Sequence, residues 1–437
     1  MKRTILSSLL AGAICLNVSA QSGTNSPYSQ YGLGQLSDQS QGFNRGMSGL
    51  GYGLRYGNQV NTLNPASYSA VDSLTMLFDV GMSLQLTNFK DGGTSVNAKN
   101  ANFEYAVALF RVMPKLGVSV GLLPYTNIGY NYSVSENIGG SSTTSTQQYS
   151  GSGGIHQAYL GFGWNIVSNL SLGANFSYLW GSYDRTVQVS SSNSYVNTIN
   201  RSYNASISSY KIDMGMQWEQ PLNKTDRLTV GAAVGLGHKL GADPSVNIVT
   251  TNALTSSTTT VGDNISNGLS IPLTIGGGLA YSHARKFVVG VDYSLQKWGS
   301  LDFPELSDNS QQYVLKSGLL KDRHKLTVGA EWVPGETGRV LNESNRSIFK
   351  RIHYRVGASY ATPYYTINGV DGPKELSVSV GLGIPIFNTW NTHNISLLNI
   401  SGQWVHSSAK DLITENTFRI NVGITFNERW FQKWMVK

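Results

Sequence analysis

The sequence holds one cysteine, few charges and no long apolar run, and each scarcity removes a class of protein. Cys15 lies in a stretch with a charged start (Lys2, Arg3), an apolar run from Ile5 to Val18 and small residues at Val18-Ser19-Ala20. That is the layout of a cleavable secretory signal, placing the mature start at Gln21. The signal takes Cys15 with it, which excludes disulfides and thiolate metal sites in the mature chain. Ile14 stands before Cys15 where a lipoprotein signal needs a small residue, so no lipid anchor is expected. Charged residues make up only 13% of the 437 positions, against about 25% in an ordinary soluble domain. Without Lys2 and Arg3, 30 basic residues face 25 acidic ones, a net charge of +5. These charges are scattered without a Lys/Arg cluster, which argues against nucleic acid and is compatible with anionic lipid. No mature segment reaches the roughly 18 apolar residues of a spanning helix, which leaves a β-barrel as the membrane-spanning option.

What the sequence does have is 48 Gly, 23 Tyr, 9 Trp and a period of two. Leu74, Met76, Phe78, Val80, Met82, Leu84 and Leu86 share one face, opposite Thr75, Asp79, Gly81, Ser83 and Gln85. A wall with lipid outside and a polar lumen inside requires this alternation. It recurs near 101–111, 115–134, 155–166, 170–183, 203–218, 226–238, 269–282, 286–298, 323–333, 350–361, 375–386, 394–406 and 415–426. The expected fold class is therefore all-β, a 14-stranded antiparallel transmembrane β-barrel. Connection lengths alternate as well. Short turns at 113–115, 168–169, 220–225 and 283–285 separate long polar stretches at 87–100, 135–154, 184–202, 239–268 and 299–322. The medium-length connection at 334–349 departs from this alternation.

The predicted division is a signal peptide over 1–20, a hatch or plug over 21–73, the barrel over 74–426, and an aromatic, basic tail over 427–437. Residues 21–73 are rich in Gly, Ser, Asn and Tyr without periodicity, and are expected to start in the periplasm and fold up into the lumen. In the tail, Trp430 with Trp434 and Phe431 with Met435 are helix-spaced, among Arg429, Lys433 and Lys437. They suit either partner docking or a frayed end joining the interfacial aromatic girdle.

Within the plug, Gly46-Met47-Ser48-Gly49-Leu50-Gly51 precedes Asn64-Pro65-Ala66. Pro65 fixes its own φ and keeps Asn64 out of the helical region, while the Asn side chain can cap nearby backbone, so the chain should turn sharply there. This arrangement resembles the FadL-type outer-membrane transporters of long-chain fatty acids and aromatic hydrocarbons. The resemblance implies that a hatch carrying Asn-Pro-Ala closes a fourteen-stranded barrel, and that a kinked third strand opens a side portal to the membrane. Here the third alternating segment is interrupted by Pro124, which cannot donate to the ladder. A portal there and an ordinary irregularity near the membrane edge are both consistent with the sequence.

Ionisable residues on the expected inner face are Asp79, Glu104, Lys211, Asp213, Asp292, Glu331, Arg355 and Arg419. Both signs occur, as in an ion-pair network that holds the hatch. Alternatively Lys211, Arg355 or Arg419 binds a substrate carboxylate. Gly117-Val118-Ser119-Val120-Gly121 mimics a nucleophile elbow but lies within a strand, with His156 expected roughly 30 Å away. No catalytic residue, cofactor or metal site is expected; the seven histidines are scattered. The function expected of such a chain is passive uptake of small hydrophobic molecules across a Gram-negative outer membrane, with outer-membrane lipid and a hydrophobic or detergent-like ligand as partners. The alternative is a non-transporting barrel serving as subunit or scaffold of a secretion or protein-assembly complex, in contact with other outer-membrane or periplasmic proteins.

Overall fold

The computed structural model describes residues 23–73, 75–138, 143–252, 254–284, 286–307, 312–335, 348–386 and 395–429. The expected signal and the aromatic residues Trp430, Phe431 and Trp434 of the tail lie outside the described residues. Fourteen antiparallel strands form the wall: β1 Thr75–Asp91, β2 Thr94–Met113, β3 Leu116–Asn137, β4 Thr144–Val167, β5 Leu170–Ser191, β6 Thr198–Pro221, β7 Asp226–Gly235, β8 Thr274–His283, β9 Phe287–Gln296, β10 Arg323–Trp332, β11 His353–Ala361, β12 Lys374–Ile386, β13 Ser396–Ser408 and β14 Thr414–Arg429. Each pairs with its neighbours in sequence, and β1 pairs with β14 from Thr75↔Arg429 to Lys90↔Thr414, closing the barrel.

The period of two becomes the two faces of this wall. On β1, Phe78, Met82, Leu84 and Leu86 are exposed on the outside while Asp79, Ser83 and Gln85 are buried inside. Leu160, Phe162, Leu172, Phe176, Leu326 and Val328 continue the apolar outer surface on β4, β5 and β10. Lipid would cover that surface, and closure leaves no unpaired sheet edge around most of the circumference.

Two expectations are corrected. The stretches 87–100, 135–154 and 184–202 are not loops for most of their length: β1 to β6 run on as ladders toward short connections near 92–93, 138–143 and 192–197. Within 239–268, Ser245–Thr251 pairs with β6 and with Thr258–Asn264. Beyond the lipid both faces of a strand meet water, so the apolar alternation fades while the backbone ladder persists. Secondly, residues 23–73 do not rise from the short-turn end, the periplasmic end in such barrels. Asn102 and Gln85 donate to the Gly23 carbonyl (2.7 and 3.2 Å) well up β2 and β1. From there the segment rises to Tyr28, whose hydroxyl donates to the Ile413 carbonyl at 2.5 Å, and then descends to Thr75.

Candidate functional site

The inside of the barrel is filled in three levels. At the long-loop end, Tyr28 and Leu33 of the N-terminal segment pack with Tyr125, Ile128, Tyr130, Leu179, Tyr183, Trp298, Tyr364 and Tyr365. Tyr364 hydroxyl donates to the Gly34 carbonyl, and Tyr31 stacks on Tyr365 at 5.3 Å. At the short-turn end, Phe43, Met47, Leu50 and Leu54 meet Ala280 and Val288, while Val60, Tyr68 and Val71 meet Leu77, Tyr105, Val107 and Leu109. Between these apolar levels lies a cavity of about 270 Å³. Its lining mixes charged side chains, among them Lys211, Asp213, Arg323, Lys325, Glu375 and Arg419, with apolar ones such as Leu36, Leu123 and Tyr125.

Residues 23–73 are held by wall side chains that the alternating pattern had placed inside. The Asp292 carboxylate accepts from the Gly51 and Tyr52 amides at 2.6 and 2.9 Å. Tyr105 hydroxyl accepts from the Gly42 amide (2.7 Å) and donates to Asp79 (3.1 Å). Glu331 accepts from Arg355 Nε (2.6 Å) and Tyr56 hydroxyl (3.1 Å). Arg45 is the counterpart on the segment itself: buried, it lies 2.9 Å from Glu104 and also donates to Asn421 and to the Ser40 and Asp38 carbonyls. Burial alone would raise the Asp38 carboxyl, but Lys325 and Arg45, with hydrogen bonds from Ser40, hold it well below the usual carboxylate range. A depressed carboxylate contributes stability above its unfolded pKa that is lost as pH falls toward the folded value. Asp38→Asn is therefore expected to destabilise the folded protein at neutral pH, by a margin that narrows below about pH 4 in denaturant titrations run at several pH values.

Asn64-Pro65-Ala66 starts a 3-10 turn, Pro65–Ala70, with Asn64 as its cap: Oδ1 accepts from the Ala66 amide at 3.1 Å. The Asn64 amide also donates to the carbonyls of Tyr52 and, on the wall, Met216, both at 3.0 Å. This turn rests on glycine. A Cβ at Gly163, Gly173 or Gly215, on three successive strands, would overlap Pro65, Ala66 or Asn64. Gly163 pairs with Gly173 and Gly173 with Gly215, so the three form one bare strip across β4, β5 and β6.

Of the three candidate carboxylate-binding cations, Lys211 and Arg419 share the central cavity, whereas Arg355 does not. Lys211 pairs with Asp213, and Arg419 donates to Gln85 at 3.1 Å. Arg355 is closed off lower down by Glu331 and by Asn399 at 2.6 Å. Ser119 is buried within β3, where its hydroxyl donates to the Ala108 carbonyl and contacts Tyr159; His156 faces outward on β4.

Pro124 lies where the wall changes. The β2–β3 ladder runs from Met113↔Leu116 to Ala106↔Leu122 and stops there. Past Leu122, β3 keeps β4 on its other edge, with Tyr125 bulged between Pro124 and Thr126, and takes Gln35–Leu36 of the N-terminal segment against Asn127 and Thr126. The upper half of the β2/β3 seam is thus unjoined by backbone pairing, and the N-terminal segment lies against it from within.

A family model described as BamG matches residues 1–436. No curated protein matches the chain. Among solved structures it is similar to a Pseudomonas aeruginosa FadL homologue (TM-score 0.62, 11% identity, covering 90% of this chain and 99% of that one). It is also similar to the toluene transporters TodX of Pseudomonas putida (0.59, 15%, 91% and 100%) and TbuX of Ralstonia pickettii (0.60, 12%, 90% and 99%). At these identities the likeness is one of fold, a FadL-like barrel.

Proposed function

The chain belongs to the BamG family, and from that membership and its filled lumen we propose that it is a non-transporting outer-membrane barrel, a subunit or scaffold of a protein-assembly complex. The supporting observation is that residues 23–73, with the aromatic cluster they join at the long-loop end, fill the interior and leave one small central space whose lining carries charges of both signs beside apolar side chains. A greasy substrate crossing that space would meet charged groups on several sides of a narrow passage, which offsets what its apolar lining offers. In this reading the barrel binds and positions other proteins and performs no chemistry, its long-loop crown and the residues 427–437 being the surfaces that hold partners.

A second reading is favoured by the seam at Pro124 and by the fold shared with the toluene transporters: passive uptake of hydrophobic molecules, with residues 23–73 acting as a movable hatch and lateral exit between β2 and β3. The full chain purified in mild detergent separates the two. A stoichiometric outer-membrane or periplasmic partner, lost on deleting residues 427–437, supports the scaffold. A lone barrel whose cells take up labelled toluene, at a rate that falls on changing Pro124→Val, sinks it in favour of the channel.

A further inference from the structure

Six histidines lie among the described residues, and four of them occupy one band of the outer surface. His156 stacks against Trp180 (5.9 Å), His238 against Tyr210 (4.2 Å), His324 against Tyr293 (6.2 Å) and His406 against Trp404 (5.8 Å). His156, His324 and His406 belong to the outward sets of their strands, above Leu160, Leu326 and Trp404, and His238 lies above Leu236, three residues past the end of β7, paired with Ile271. Counted from the short-turn ends at Val167, Asp226, Trp332 and Ser396, they stand eight to twelve residues up the wall. At about 3.3 Å per residue and a tilt of about 40°, that is roughly 20–30 Å, the upper boundary of an apolar band about 25 Å tall.

The lower boundary is built differently. Trp164, Trp218, Trp332 and Phe426 supply exposed aromatics near the short-turn ends. Of the two other described histidines, His353 contacts the buried Glu331, while His283 lies half-exposed at the lower boundary with its Nδ1 on Asp226. Aromatic rings alone make an ordinary interfacial girdle. Four histidines stand at the upper boundary against one at the lower, and that one is already paired with a carboxylate, which points to a headgroup chemistry richer at the upper boundary.

Neighbouring side chains orient three of these rings. Tyr293 hydroxyl contacts His324 Nδ1 at 2.7 Å, Asn416 Oδ1 accepts from His406 Nδ1 at 2.8 Å, and Ser209 hydroxyl lies 3.3 Å from His238 Nε2. The other nitrogen of each faces a headgroup, to which that of His406 donates only as an imidazolium. An imidazole N–H donates to phosphate oxygen, and an anion at the ring favours its charged form. Lys239, exposed beside His238, adds a full positive charge to the same band.

We propose that the His156, His238, His324 and His406 band binds the phosphates of glycolipid headgroups in the outer leaflet. The inference rests on the barrel lying in an outer membrane and is indifferent to whether it scaffolds or transports. The test uses the mature chain in phosphatidylcholine nanodiscs with lipid A added, and native mass spectrometry to count lipid A retained per barrel. His156→Gln, His238→Gln, His324→Gln and His406→Gln combined are expected to cut retention about tenfold, each exposed pair contributing up to about threefold. Heat-modifiable migration on gels verifies that the variant barrel is folded. If the combined variant does not fold, the two half-sets, His156/His238 and His324/His406, are each expected to lose part of the retention. Equal retention by wild type and variants overturns the proposal. So does an equal loss from His283→Gln, or equal retention of dephosphorylated lipid A.

Discussion

Arg45→Met is expected to release the N-terminal segment from the wall while leaving the barrel assembled. Arg45 and Glu104 are both buried, and the guanidinium also ties Asn421 on β14 to the Ser40 and Asp38 carbonyls. Removing one member of a buried ion pair strands the other, at a cost of about 3–5 kcal/mol. Glu104 would keep the Ser83 hydroxyl and the more distant Arg419, and Asp38 would lose one of its two cations. The wall does not depend on Arg45, because every strand is joined to two neighbours by its own ladder. The cost therefore falls on local opening of the segment, whose open population should rise by about two to four orders of magnitude. Limited proteolysis of the refolded protein should cut within 38–50 while a heat-modifiable barrel remains. Arg45→Met with Glu104→Met should recover most of the protection, since replacing both partners by apolar residues is often neutral. Protease resistance of the single variant equal to wild type would mean that Asp292, Tyr105 and Gln217, whose amide donates to the Tyr52 and Leu54 carbonyls at 3.0 and 2.9 Å, suffice to hold the segment.

Arg45 also illustrates what the sequence makes legible. Fourteen strands are readable because lipid outside and polar groups inside force a period of two onto Met82, Leu84 and Leu86 against Ser83 and Gln85. Where β4 and β5 rise into water that force is gone, and the ladders between Ser145↔Ser191 and Gly151↔Arg185 leave no such trace. Residues 23–73 contain only turns, a two-residue strand and helices of four to six residues. No period can betray them. The candidate cations were sought on the wall, and Arg45 was missed although a signal existed: it is the one charge between Gln39 and Leu54, set between Phe43 and Met47. Arg355 stands directly opposite Glu331 in the β10–β11 register, so once the strands are aligned the pair can be read as partners before any substrate is invoked. Lys211 and Arg419 do share a cavity, but its centre lies between levels that only tertiary packing creates.

Gly173→Leu should dislodge the Asn64-Pro65-Ala66 turn more completely than any change in the turn itself. A Cβ on Gly173 would overlap the Pro65 carbonyl carbon and the Ala66 nitrogen, which are backbone atoms and cannot rotate aside. Gly163 and Gly215 on either side leave no bulky neighbour whose rearrangement could make room. Overpacking costs typically about 1–3 kcal/mol where side chains can adjust, and a rigid contact belongs at or above the top of that range. The turn must lift, taking with it the Asn64 donations to Tyr52 and Met216 and exposing Ser67, which is buried in its seat. Cys15, in the expected signal, is the only cysteine, so Ser67→Cys provides a single reporter in the mature chain. A membrane-impermeant maleimide should label it slowly in the parent and rapidly alongside Gly173→Leu, whereas Ala174→Leu, one residue on and facing outward, should change nothing. The same background also bears on the two functional readings. If the segment is a fixed filling, Gly173→Leu should raise ion conductance in planar bilayers, where the parent is closed. A parent that already conducts, and whose Ser67→Cys reporter labels faster when toluene is added, would show that the seat is left and regained in normal operation, as a hatch requires.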